Sequence, residues 1–215
     1  MKDAELRSKV IEELNFDPSL DAAGIGVAAT GGVVTLTGHV GSYAEKLAAE
    51  RAAQRVKGVQ AIAQEIEVRF ASDKQNGDDQ IAARALKILE WDTTVPPGAV
   101  RVKVQQGWVT LSGTVAGQFQ RQAAANAVRR LSGVVGVENR IVVRPTVVAG
   151  DVRQHIEDAL RRSAEIDAGG IRVQVEGNRV VLDGTVHSWH ERASVERAAW
   201  SVNGVIAVDD RLRVA

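Results

Sequence analysis

The sequence predicts an α+β protein: three tandem α-β-β-α-β modules, each a three-stranded mixed sheet with two helices on one face. Three observations carry this. One glycine pair recurs three times at fixed spacing, Gly38 and Gly58, Gly113 and Gly133, Gly184 and Gly204. Apolar spacing changes from a helical to a strand period in the same order within each copy. Turn and cap residues fall where that period changes.

The repeat comes first, because a missed repeat misreads the whole chain. The second copy begins 75 residues after the first and the third a further 71 on, with Leu36, Leu111 and Leu182 at the same offsets, then Val40, Val115 and Val186. Past the second glycine the copies read GVQAIAQEIEV, GVVGVENRIVV and GVIAVDDRLRV. The modules are expected over residues 1–70, 78–145 and 149–215. The joining segment 71–77 is polar, and 145–150 is more apolar and contains Pro145.

Each copy opens on a helix whose apolar residues lie at i, i+4 and i+8: Leu6, Val10, Leu14; Ile81, Ala85, Leu89; Val152, Ile156, Leu160. Two alternating strands follow. Ile25/Val27, Val100/Val102/Val104 and Ile171/Val173/Val175 mark the first, and Val34/Leu36, Val109/Leu111 and Val180/Leu182 the second. Gly31-Gly32, Gln106-Gly107 and Gly177-Asn178 suit the tight turns between them. A second helix starts at a capping box, complete in Ser42-x-x-Glu45 and Ser188-x-x-Glu191 and weaker in Gly117-x-x-Gln120. Its alanine-rich inner face places it close to the sheet. Gly58, Gly133 and Gly204 then suit a left-handed turn, and a third alternating strand ends the module.

Composition narrows the function. Hydrophobic residues make up 45% and charged residues 25%, as in an ordinary globular protein. Without cysteine there is no disulfide framework, thiol nucleophile or cysteine-held zinc. No apolar run is long enough to span a bilayer. Met1–Leu6 runs straight into an amphipathic helix and does not read as a signal peptide. The chain as written is expected in the cytoplasm, or in the periplasm if a leader has been trimmed away.

Strands of the form V-x-L-x-G-x-V, the capped alanine-rich helix and the GV-initiated last strand resemble the BON domain, named for bacterial osmotically inducible and nodulation proteins. The resemblance covers nearly the whole chain, three times. It implies a bacterial protein of stress response or envelope maintenance that binds phospholipid surfaces, and it brings no catalytic residues with it. Many members are exported with a signal peptide, which is not read here.

A search for chemistry returns little. Phosphate-cradling and HExxH motifs are absent, and His187 and His190 lack a nearby third ligand. No catalytic residue, metal or cofactor is expected. A binding surface is expected instead on the sheet faces that the helices leave bare. Strand alternation turns Ala28, Val33, Thr35, Thr37, Ala63, Glu65 and Glu67 outward in the first module. Arg101, Lys103, Trp108 and Arg140 point outward in the second, and Arg172, Arg179, Val181, Arg211 and Arg213 in the third. The first module carries 8 basic and 10 acidic residues, net −2; residues 71–147 carry 10 and 6, net +4; residues 148–215 carry 9 and 11, net −2. Trp108 stands where the other copies have Val33 and Arg179, so the fold does not require an aromatic there. Beside Arg101 and Lys103 it suits an anionic phospholipid surface or a protein partner. The alternative is that Trp108 packs on a neighbouring module or a second copy of the chain. Trp200 aligns with Gln54 and Arg129 and is expected at a contact between modules. The bare faces are themselves expected to dock on one another, within one chain or between chains, apolar residues Val33, Trp108 and Val181 supplying the energy. A small-ligand or ion sensor is the alternative function. Nucleic acid is a weaker one, because the net charge is zero.

Overall fold

The structure, a computed structural model, describes residues 2–70, 76–144, 152–163, 168–202 and 204–214. The linker segments 71–75 and 145–150 fall outside the described residues. The first module comprises α1 (Asp3–Phe16), β1 (Ile25–Thr30), β2 (Val33–Val40), α2 (Tyr43–Arg55) and β3 (Ala61–Val68). The second comprises α3 (Asp78–Trp91), β4 (Val100–Gln105), β5 (Trp108–Val115), α4 (Gln118–Val128) and β6 (Gly136–Val143). The third comprises α5 (Val152–Arg162), β7 (Ile171–Glu176), β8 (Arg179–Val186), α6 (Trp189–Trp200) and β9 (Ala207–Val214).

Each sheet is mixed. Its central strand pairs antiparallel with the hairpin strand before it and parallel with the last strand, across the second helix. Both helices cover one face. The predicted helix residues Leu6, Val10, Leu14, Ile81, Ala85, Leu89, Val152, Ile156 and Leu160 are all buried against the inner strand residues. The hairpin turn is tied to the first helix: Asp3 accepts a hydrogen bond from the Gly31 N–H at 3.0 Å, and Asp78 accepts from Gln106 and Gly107 at 2.7 and 2.9 Å.

Two recurring sequence features acquire a physical cause. Gly38, Gly113 and Gly184 have φ of 106°, 136° and 138°, and a Cβ there would run into the carbonyl oxygen of Gly24, Ala99 or Gly170, the residue just before the neighbouring strand. Gln64, Asn139 and Asp210, at one position of the last strand, bind that strand to the second helix. Gln64 donates to Lys46 O, Asn139 donates to Arg121 O, and Asp210 pairs with Arg192 at 2.7 Å. Each also accepts from the backbone N–H two residues on. At the helix start, Ser42 and Ser188 accept from the N–H groups of Glu45 and Glu191. In the second module only the Gln120 half of the box exists, its amide oxygen accepting from Gly117 N–H at 3.1 Å.

The modules meet through their second helices. Trp189, in the first turn of α6, packs on the core of the first module and donates its indole N–H to Val59 O at 2.9 Å. The Arg192 guanidinium lies 5.1 Å from the centre of that ring. Tyr43, the equivalent residue of α2, packs on the core of the second module. Trp200 packs on the core of its own module and borders a groove between α4 and α6.

The expectation that the bare sheet faces dock on one another within the chain is overturned: Val33 is 42% and Trp108 56% exposed. An aromatic wedge placed on a finished core gains about 1.5–3 kcal/mol. The sheet faces are mostly Thr, Ser, Arg and Glu, whose exposed pairs contribute only about 0–1 kcal/mol each. Val181 is a second correction. It is buried, in register with Gln174 and Asp209 of its own sheet, rather than left in water.

Candidate functional site

Because the helices hold the inner faces and the module contacts use the second helices, all three outer sheet faces remain open. Strand register lays each one out as a grid. In the second module Gln105, Trp108 and Gly136 form one row, Lys103, Thr110 and Glu138 the next, and Arg101, Ser112 and Arg140 the third. The Trp108 ring lies over Gly136, where a Cβ would come within 2.5 Å of it. The other modules have Ala61 and Ala207 at that position. Glycine there makes room for an aromatic ring lying flat across two strands. Arg101 and Lys103 are exposed and make no ion pair among the described residues. Arg140, by contrast, is held by Glu138 at 2.7 Å, and the same carboxylate accepts from the Thr110 hydroxyl at 3.4 Å.

The third module uses its cations differently. Arg179 and Arg211 both reach Asp209, at 3.1 and 2.8 Å. Hydrogen bonds from Arg211 first, and Arg179 second, hold the Asp209 carboxyl below its ordinary range, and Asp209 raises the Arg211 guanidinium in return. Asp183 stands in register between Arg172 and Arg211, and Arg213 is exposed beside Thr185. The first module exposes Val33 and Ala61, half-buries Ala63, and exposes Glu65 and Glu67, the last paired to Arg69 at 2.9 Å.

The eight predicted binding residues therefore lie on two separate sheets. Arg101, Lys103, Trp108 and Arg140 share one, and Arg172, Arg179, Arg211 and Arg213 share the other. Glu138, Asp183 and Asp209, on the same faces, escaped the sequence reading. Their signal was available: Glu138 is two residues before Arg140 and Asp209 two before Arg211, hence on the same side of the strand.

The BON domain model matches this chain three times, over residues 2–69, 77–145 and 149–215. The chain belongs to the BON domain family. The osmotically-inducible protein Y of Escherichia coli is 32% identical over 143 residues, covering 65% of this chain and 71% of that protein. Two solved chains of CdsD, a structural protein of the type III secretion system of Chlamydia trachomatis, also align. They share 14% and 13% identity, each at a TM-score of 0.27, covering 98% and 100% of this chain and 92% and 100% of theirs. A superposition that loose carries no argument about this chain.

Each BON domain thus keeps one core and one backbone grid and varies what the grid displays. His187 Nδ1 sits 3.3 Å from a Glu191 carboxylate oxygen that also accepts from the His187 N–H. Among the described residues no three His, Asp or Glu side chains gather as a metal site, and no helix is long and apolar enough to cross a membrane.

Proposed function

We propose that this chain is a binding protein of bacterial stress physiology, acting without turnover, and that the open face of its second BON domain rests on an anionic phospholipid surface. The observation that carries the reading is Trp108, 56% exposed over Gly136 and flanked on the same face by Arg101 and Lys103. A flat, half-exposed indole suits the headgroup region of a bilayer. Each uncommitted Arg or Lys near an anionic membrane adds about 1 kcal/mol. The name of the Escherichia coli relative, osmotically inducible, supports the stress context. The third domain is a weaker contributor, because Asp209 holds two of its arginines and cancels one of their charges.

Flotation of the whole chain with anionic and with neutral vesicles tests the reading. Anionic vesicles should carry the protein upward and neutral ones should not. Equal flotation with both would remove the charge argument. Flotation with neither, together with a soluble partner captured through Trp108, would assign the face to a protein instead.

A further inference from the structure

The three second helices meet in a cyclic order, the first half of each approaching the second half of the next. Ala44 and Leu47 of α2 face Asn126 and Arg129 of α4, and Gln118 and Phe119 of α4 face Arg197 and Trp200 of α6. The order closes where α6 places Trp189 on the first domain. Two of these three seams are filled from within by an aromatic side chain in the first helical turn, Tyr43 or Trp189, with a smaller cleft of about 310 Å³ left between α2 and α4. The third is not. At the equivalent position α4 carries Gln118, and the next residue, Phe119, stays 66% exposed. A slot of about 510 Å³ remains between α4 and α6.

The slot has aromatic walls and a methyl floor. Phe119 stands on one side and Trp200 on the other, and Ala123 and Ala193 also line it. The Phe119 ring leans over Gly117, where a Cβ would come within 2.5 Å of it, so the missing cap serine of this domain is what lets the ring stand there. Most polar groups at the rim are already engaged, Arg197 being the exception among the described residues. Trp200 donates its N–H to Glu196 at 3.2 Å, and the Asn126 side-chain oxygen accepts from Gln122 and Arg129. What remains, beside Arg197 at the rim, is the face of two rings and two alanines, in the size range of small-molecule pockets.

We propose that this slot binds one small, neutral, planar aromatic molecule, which takes the place that Tyr43 and Trp189 fill at the other two seams. At those two interfaces the chain itself supplies the aryl group, and the slot lies apart from the open face around Trp108.

N-phenyl-1-naphthylamine, a neutral probe that brightens in apolar sites, tests this on the whole chain. Its emission should rise to saturation at one molecule per chain. Phe119→Ala, at an exposed position that burdens folding little, should weaken binding roughly tenfold through loss of one stacking wall. Gln118→Trp should abolish it by restoring the plug, while Trp108→Ala should leave it unchanged. Absence of saturable binding, or equal affinity in the parent, Phe119→Ala and Gln118→Trp proteins, would overturn the proposal. So would a concentration-dependent dimer in sedimentation that Phe119→Ala dissolves, because the slot would then belong to a second copy of the chain.

Discussion

The open faces of the second and third BON domains are built on one backbone register and carry four predicted binding residues each, yet they present different surfaces. In the second, Arg101 and Lys103 sit opposite Ser112 and Thr110 and are free to meet a partner. In the third, Asp209 holds Arg179 and Arg211 together. Counting cations along a strand therefore overstates how basic a face is. What matters is whether a carboxylate stands next to them in the grid.

The comparison can be broken most forcefully by charge removal. Arg101→Ala with Lys103→Ala should lower anionic-vesicle affinity roughly tenfold or more, from about 1 kcal/mol for each lost charge. Arg179→Ala with Arg211→Ala should change it by less than about threefold, since exposed, already paired cations contribute little. Vesicle titration of the two double variants would show whether the order is reversed.

Releasing the third domain sharpens the same point. Asp209→Asn should raise anionic-vesicle binding several-fold by freeing both guanidinium groups. Those groups hold the Asp209 carboxyl below its ordinary range, so it stays charged throughout the neutral region. Binding by the parent protein should accordingly gain nothing from Asp209 between about pH 5 and 8. A rise in that window absent from Asp209→Asn would contradict the assignment.

Gly136→Ala should act locally. The new methyl meets the Trp108 ring, which must tilt away from the sheet. We expect a red-shifted Trp108 emission, taken as the difference from Trp108→Phe, with a stability change below about 1 kcal/mol at this surface site.

The smallest effect belongs to the first domain, which lacks a basic outer face. The Ser19 hydroxyl and N–H, with Arg55 at 3.2 Å, hold Asp17 below its ordinary range. A carboxyl depressed in the folded state stabilises above its unfolded pKa and loses that contribution as pH falls through the folded value. Asp17→Asn should thus lower Tm slightly at pH 7 and not at all near pH 2. An equal loss at both would deny the linkage.

Much of this fold was legible because its signals are local and repeated. Three aligned copies of Leu6, Val10 and Leu14 leave little choice of helix face, and the V-x-L-x-G-x-V strands set the inner face by alternation. The outer faces were legible as residue sets for the same reason. Their electrostatics were not, because Arg179 meets Asp209 thirty residues away through a parallel pairing whose register no short-range signal states. The domain contacts were misjudged on energetic grounds. Exposed apolar residues such as Val33 suggested face-to-face docking, while Trp189, a first-turn helix residue, reaches across 130 positions to Val59. A clue existed: Tyr43 and Trp189 share one repeat position that capping chemistry does not explain.

The central claim is that Trp108 enters the bilayer interface. Emission quenching by anionic vesicles with brominated acyl chains tests it most directly, comparing the parent protein with Trp108→Phe. The account predicts a vesicle-dependent quenching component in the parent that vanishes in Trp108→Phe, while Trp91, Trp189 and Trp200 contribute the same residual signal to both. Identical quenching of the two proteins, with both still floating on anionic vesicles, would contradict it.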